Sequence, residues 1–144
     1  MPTAMTTLQL KNYFYPNILI KANPKYKLSE KTEEAKLDVK SNLTRLPDNR
    51  GWRVILDLKT IQEENPIPYE IEIKVVGFFQ VAPDYPEAEV EDLVRIGGSS
   101  ILYSATRDFV LTISSRGPWG PVFVPSVSFT KEIEKKESTP DKKS

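Results

Sequence analysis

The side chains that could carry catalysis in this chain are carboxylates, Lys, Tyr or Ser alone, because its 144 residues contain neither histidine nor cysteine. Their absence excludes Ser-His, Cys-His and HExxH chemistries, which need an imidazole base or a thiolate. Carboxylate pairs remain, at Glu63-Glu64, Glu70/Glu72 and Glu89/Glu91. Two carboxylates held at a set separation can hydrolyse a glycosidic bond. Since Glu70 and Glu72 alternate with apolar residues, a solvated strand face explains them better, and we predict no enzyme and no cofactor.

The segment Gly97-Gly98-Ser99-Ser100 is the second place with chemical potential, because a glycine-rich turn before a helix can cradle a phosphate. It lacks the GxxxxGK[ST] spacing and the lysine of that motif. We therefore interpret it as a helix stop followed by the N-cap of the next helix.

The composition bounds the class of protein. Lys+Arg and Asp+Glu are both 20, so no bulk positive field is available to attract nucleic acid. The length fits one domain. The first ten residues lack the pattern of a signal peptide, and no apolar run approaches the roughly 20 residues of a membrane span. These features favour a cytoplasmic protein that binds neither nucleic acid nor a membrane.

Four stretches alternate between apolar and polar residues, which is typical of strands with one buried face. They cover 8–21, 36–43, 52–59 and 69–79. Turn signals between them favour antiparallel pairing. In the first stretch the apolar set occupies even positions, and Pro16-Asn17 predicts an edge strand that is broken or bulged there. Its apolar members are Leu8, Leu10, Phe14, Ile18 and Ile20.

The second half predicts helices. Acidic residues from Glu87 onward begin a short helix, and 101–115 reads as a long one although its β-branched residues also suit a strand. We predict an inward stripe of Leu102, Ala105, Phe109 and Ile113. A second apolar set (Ile101, Tyr103, Val110 and Leu111) lies off that stripe, so the helix should be covered on two sides, by the sheet and by another subunit.

The end of the chain changes character at Thr130. Residues 119–129 are extended, apolar and interrupted by proline, whereas 130–144 are charged and predict a disordered tail. The aromatic residues are numerous, and several flank Gly or Pro in irregular segments. Core packing is one explanation for them; an adaptable apolar surface that binds other chains is the other.

Several short segments together resemble the SecB family of export chaperones. They are the helix start Ser100–Asp108, the stop Ser115-Arg116-Gly117-Pro118-Trp119 and the close Val124–Phe129. Upstream, Gly77-Phe78-Phe79 is similar to the aromatic end of that family's fourth strand, and Leu8-Gln9-Leu10 to its first strand. The likeness covers residues 8–129, which we take as a SecB-like domain spanning 1–129.

The resemblance implies an α+β fold with a four-stranded antiparallel sheet followed by a long helix. It implies a homotetramer, built as a dimer of dimers around the long helices, that holds unfolded polypeptide clients in apolar grooves without ATP. Expected client-binding residues are Tyr13, Phe14, Tyr15, Phe78, Phe79, Tyr103, Trp119 and Phe123. Expected oligomer contacts are Leu102, Ala105, Phe109, Val110 and Ile113.

The chain departs from the family where acidic residues on the exposed sheet face contact the SecA motor. Two of the matching positions are Asn17 and Lys21, and only Glu72 keeps an acid. This disfavours SecA as a partner, since a cation repels a basic surface. A solitary SecB-like chaperone, for example one guarding an antitoxin, fits better. The alternatives are a SecA-coupled export chaperone and an assembly protein that binds no client.

Overall fold

The computed structural model describes residues 7–27, 36–47, 50–61, 66–127 and 129. Two predictions fall outside them: the pair Glu63-Glu64 and the tail 130–144. The strands are β1 Leu8–Ala22, β2 Leu37–Arg45, β3 Gly51–Thr60 and β4 Tyr69–Val81. They form one antiparallel sheet in the order β1-β4-β3-β2, which confirms the predicted sheet and places β1 at an edge.

β1 changes the face of its side chains twice. Its pairing with β4 shifts register between Leu10 and Asn12 and again between Phe14 and Asn17, one extra residue each time. Because each extra residue inverts the alternation, the side chains that face the helices are Leu8 and Leu10, then Tyr13 and Tyr15, then Ile18 and Ile20. Phe14, predicted among the inward set, lies on the opposite face, called here the open face.

The helical region is continuous, so the predicted stop at Gly97-Gly98 and the predicted N-cap are wrong. α1 (Glu87–Leu93) leads through a π-helical turn, Val94–Gly98, into α2 (Ser99–Ser114). The preceding turn already satisfies the first amides of α2, so no cap is required. Ser99 instead ties the helix to β2, its Oγ lying 2.7 Å from that of Ser41.

Two glycines allow the helix to lie close against the sheet. A Cβ on Gly98 would lie 3.2 Å from Val54, and one on Gly77 of β4 would lie 2.7 Å from Leu102. Gly77 therefore leaves a notch in the sheet that Leu102 fills. The close approach buries Leu102 completely and fixes the rotation of α2.

The buried face of α2 differs from the predicted stripe. It consists of Leu102, Thr106, Val110 and Ser114, with Tyr103 beside them. Of the predicted stripe only Leu102 is fully buried, and Ile113 is 43% exposed. Two polar residues can face the core because their hydroxyls are bonded: the Thr106 hydroxyl donates to the Leu102 carbonyl at 2.8 Å.

We expect Gly77→Ala to lower the free energy of unfolding by about 1–3 kcal/mol, because the added methyl overpacks the site filled by Leu102. Gly97→Ala is the matched control. Among the described residues, the one close neighbour there is the end of the half-buried Leu8 side chain, 2.9 Å from the added Cβ, which can move aside at the sheet edge, and alanine is the better helix former. Urea denaturation measures the free energy of unfolding of both variants. An equal loss of stability in the two would contradict a specific role for the space at Gly77.

Candidate polypeptide-binding groove

Residues 119–127, called here the closing segment, run back along α2 in the opposite direction. Their hydrogen-bond partners step backwards along the helix. The Val122 amide donates to Ser114 Oγ at 2.8 Å, and Arg107 Nε donates to the Val124 carbonyl at 3.0 Å. Nearer the start of α2, the Tyr103 hydroxyl donates to the Pro125 carbonyl at 2.7 Å. Three bonds to α2 therefore hold a segment that has no regular secondary structure of its own.

The start of the closing segment is organised around the buried hydroxyl of Tyr69. That oxygen accepts a hydrogen bond from the Trp119 amide at 3.0 Å and lies 2.9 Å from the Gly120 carbonyl and 3.2 Å from the Ser114 carbonyl. Gly117 is required nearby, because a Cβ there would overlap the ring and hydroxyl of Tyr69. One tyrosine thus joins β4, the end of α2 and the closing segment.

An open groove of about 480 Å³ lies between α2 and the closing segment. Side chains alternate along the segment: Val122 and Val124 are buried, whereas Phe123 between them is 49% exposed. From the helix, Leu111 lines the same groove and is 37% exposed. Arg107 and Asp108 add one charge of each sign. The full lining is Arg107, Asp108, Leu111, Val122, Phe123, Val124, Pro125 and Ser126.

Trp119 is fixed beside β1, at the start of the closing segment. Its ring packs edge-on against Tyr26 with 5.3 Å between centroids, and its Nε1 donates to the Asn23 carbonyl at 2.9 Å. Both rings are half-buried. They offer an apolar surface with a defined orientation near the groove.

The other side of α2 carries a second apolar surface, called here the flank surface. Tyr15 stacks on Phe109 with centroids 5.1 Å apart, and Tyr13 meets Tyr15 edge-on. Burial raises the pKa of the Tyr15 hydroxyl, which also shares a 3.3 Å hydrogen bond with Thr106. Ile18 and Ile113 are exposed nearby on β1 and α2. The flank surface offers apolar contact along an edge strand.

The structure corrects several predicted site residues. Phe79 and Tyr103 are 1% and 2% exposed, so they belong to the core and cannot line a groove. Phe79 packs near Gly77 and Gly98, where the helix crosses the sheet, and Tyr103 packs edge-on against Phe129. Leu102 and Val110, predicted as oligomer contacts, are fully buried against the chain's own sheet.

The remaining predicted client-binding residues divide among separate surfaces. Phe123 lies in the groove, and Trp119 starts the closing segment. Tyr13 and Tyr15 belong to the flank surface, while Phe14 and Phe78 pair on the open face with centroids 6.0 Å apart. The structure therefore does not bring the eight aromatics together in one groove.

Sequence reasoning missed the residues that build the groove. Leu111 was placed in the apolar set expected to face another subunit, and Arg107 and Tyr69 were given no part in positioning the segment. The alternation of valines around Phe123 is the one local signal that could have indicated an exposed aromatic there. The bonds to Tyr69 join residues 45–51 positions apart in sequence and left no local signal.

The candidate catalytic carboxylates lie on the surface. Glu70 is exposed on β4, Glu89 and Glu91 are exposed on α1, and Glu72 is half-buried on the open face. Among the described ranges, no three carboxylates group closely enough to hold a metal ion. Within that same part of the chain, no helix has the length and apolarity that crossing a bilayer requires.

Comparison with known proteins agrees with this architecture. The sequence model of the family described as "Preprotein translocase subunit SecB" matches residues 8–138. No curated protein matches the chain. Among solved structures, the Mycobacterium tuberculosis SecB-like chaperone Rv1957, in complex with a ChAD peptide from the Rv1956 HigA1 antitoxin, is similar at a TM-score of 0.63. The two sequences are 12% identical, and the match covers 85% of this chain and 91% of that chain. A Streptococcus agalactiae protein of unknown function gives a TM-score of 0.45 at 12% identity, covering 86% and 100%.

We expect Tyr69→Phe to lower the free energy of unfolding by about 1–3 kcal/mol, because it leaves the Trp119 amide and two carbonyls without their partner. The emission of Trp119, read in a Trp52→Phe background, should shift to longer wavelength as the segment loosens. Tyr85→Phe is the control, since that hydroxyl bonds no described residue. An unchanged Trp119 spectrum would show that Tyr69 does not hold the segment.

Proposed function

The chain belongs to the SecB family, and we propose that it is an ATP-independent holdase that binds unfolded polypeptides in the groove between α2 and the closing segment. The observation that carries the proposal is Phe123. It is a large aromatic, 49% exposed, on a segment whose neighbouring backbone is hydrogen-bonded to α2. A rigid support for an exposed aromatic is what a binding surface requires.

The physical basis is burial of apolar surface. An unfolded chain exposes apolar side chains, and each methylene buried in the groove contributes about 0.8 kcal/mol. Because the contacts are apolar, they select for exposed hydrophobic segments and read no particular sequence. Binding the unfolded state lowers the population that aggregates and needs no nucleotide, since it acts by mass action.

Antitoxins are the client class that we favour. The SecB-like chaperone of similar fold was solved with an antitoxin peptide. On the open face of this chain, Asn17 and Lys21 offer no carboxylate, and Glu72 lies opposite Lys59 in the register. This face lacks the acidic field that would attract a basic motor such as SecA. We propose the cytoplasm as its location, because newly synthesised polypeptides are still unfolded there.

We propose that the flank surface forms one of the subunit contacts of a homotetramer built as a dimer of dimers. Ala105, Phe109 and Ile113 lie together on the side of α2 that faces away from the closing segment, next to the edge strand β1. An edge strand offers unpaired backbone groups, and exposed apolar side chains beside it favour a second copy. We propose these three residues as contacts, without Leu102 and Val110.

The combined substitution Leu111→Ser and Phe123→Ser should reduce holdase activity several-fold, because it removes both exposed apolar walls of the groove. The assay is light scattering of a thermally unfolding client without ATP. The matched control is Ile61→Ser, which removes a similarly exposed apolar side chain at the end of β3. Equal suppression by all three proteins would contradict binding in the groove.

We expect Ile113→Asp to reduce the native mass of the particle, because an unpaired carboxylate in an apolar contact is costly to desolvate. Ser104→Asp, which adds the same charge at an exposed position elsewhere on α2, should leave the mass unchanged. Multi-angle light scattering measures both. A wild-type protein that is a monomer would refute the tetramer directly.

A further inference from the structure

The open face of the sheet carries an apolar patch that the groove does not use. Phe14 is 46% exposed, and its ring lies 6.0 Å from that of Phe78. In the register, Phe14 and Ile55 flank Val76 from either side, so the three form a row across β1, β4 and β3. Val76 is only 7% exposed, because these neighbours cover it. The result is a compact apolar surface on the face away from α2.

Among the described residues, the patch contains one charge, the guanidinium of Arg53. Arg53 lies directly opposite Phe78 on β4 and opposite Thr44 on β2. Its Nη2 donates to Thr44 Oγ1 at 3.3 Å, and its buried Nε has no hydrogen-bond partner among the described residues. The buried Nε itself is out of a ligand's reach, but among the described residues the Nη groups make one hydrogen bond only, the long one to Thr44. The outer side of this half-buried guanidinium can therefore receive a carboxylate, which matches its planar fork.

The lysines of the same face differ from Arg53, because each has a carboxylate opposite it. Lys74 pairs with Asp57 at 3.9 Å. The register places Lys59 opposite Glu72 and Lys21 opposite Glu70. Cross-strand pairs of opposite charge stabilise a sheet and leave little net field. Among the basic residues that the described strands place on this face, Arg53 is the one with no carboxylate opposite it, and it lies beside the aromatic pair.

We propose that this patch docks a segment of a partner protein in which an aliphatic side chain adjoins a carboxylate. The aliphatic group covers Phe14, Val76 and Phe78, and the carboxylate accepts hydrogen bonds from Arg53. Because the patch lies on the opposite face of the sheet from the groove, partner docking and client binding can occur together. The patch should prefer acidic segments, whereas a surface that docks a basic partner such as SecA would itself be acidic.

The test uses a chain without native cysteine, so one introduced cysteine takes one fluorophore. Asn12→Cys reports on the patch, because Asn12 lies opposite Phe78, and Ser126→Cys reports on the groove. The probe is a quencher-labelled peptide, Gly-Ser-Asp-Leu-Glu-Leu-Ser-Gly. Its control replaces Asp by Asn and Glu by Gln. The acidic probe should quench the fluorophore at position 12 and leave that at 126 unchanged.

Substitutions then separate the charge from the apolar contact. Arg53→Gln should weaken the acidic probe about tenfold, the scale of one charge-assisted hydrogen bond, and leave the amide peptide unchanged. Lys74→Gln removes a charge of the same face that is paired with Asp57, and it should change the affinity for neither peptide. Phe14→Ser should weaken both peptides. Equal affinity for the two peptides, or no effect of Arg53→Gln, would overturn the proposal.

Two further outcomes are decisive. Quenching at position 126 in place of 12 would assign the peptide to the groove and reject the patch. A native mass that falls on Phe14→Ser substitution would assign the patch to a second copy of this chain and also reject a partner segment. Client holding is measured separately on the same proteins, so its loss with intact peptide binding would reject only the proposed holdase function.

Discussion

The close contact of α2 with the sheet at Gly77 determines the rest of the structure. Leu102 fills the space that a side chain on β4 would occupy, and this fixes both the height and the rotation of the helix. With that rotation, a narrow strip of α2 is buried against the sheet, and the helix surfaces on either side of the strip stay accessible. One side receives the closing segment, and the other meets β1 through Phe109. The two exposed apolar surfaces therefore follow from one packing contact.

The groove depends on polar bonds as much as on apolar packing. A segment with Pro121 and Pro125 cannot join the sheet as a regular strand, so its backbone groups need other partners. Ser114, Arg107 and Tyr69 supply them from the helix and from β4. These bonds keep Phe123 pointing outwards without using its apolar surface. Phe123 can therefore stay exposed, because the bonded segment cannot fold over its ring.

Much of the fold could be predicted from local patterns, and much of the site could not. Alternation and turn signals indicated the four strands and their antiparallel sense, and the stop near Gly117 indicated the end of α2. They did not indicate that β1 pairs with β4, a contact between strands distant in sequence. The faces of β1 were mistaken between its two bulges, as at Phe14, because the first extra residue inverts the alternation and the second restores it by Ile18. The helix stripe was mistaken because Thr106 and Ser114 satisfy their hydroxyls within the structure, which composition does not reveal. Phe79 and Tyr103 were counted as surface aromatics although contacts distant in sequence bury them.

The central claim is that unfolded chains bind between α2 and the closing segment. Hydrogen–deuterium exchange of the native particle, with and without reduced carboxymethylated α-lactalbumin, which cannot refold, measures this most directly. The account predicts slower exchange in residues 107–126 when that client is present, with the paired strands β3 and β4 unchanged. Unchanged exchange in 107–126, with the client bound and protection elsewhere, would contradict it.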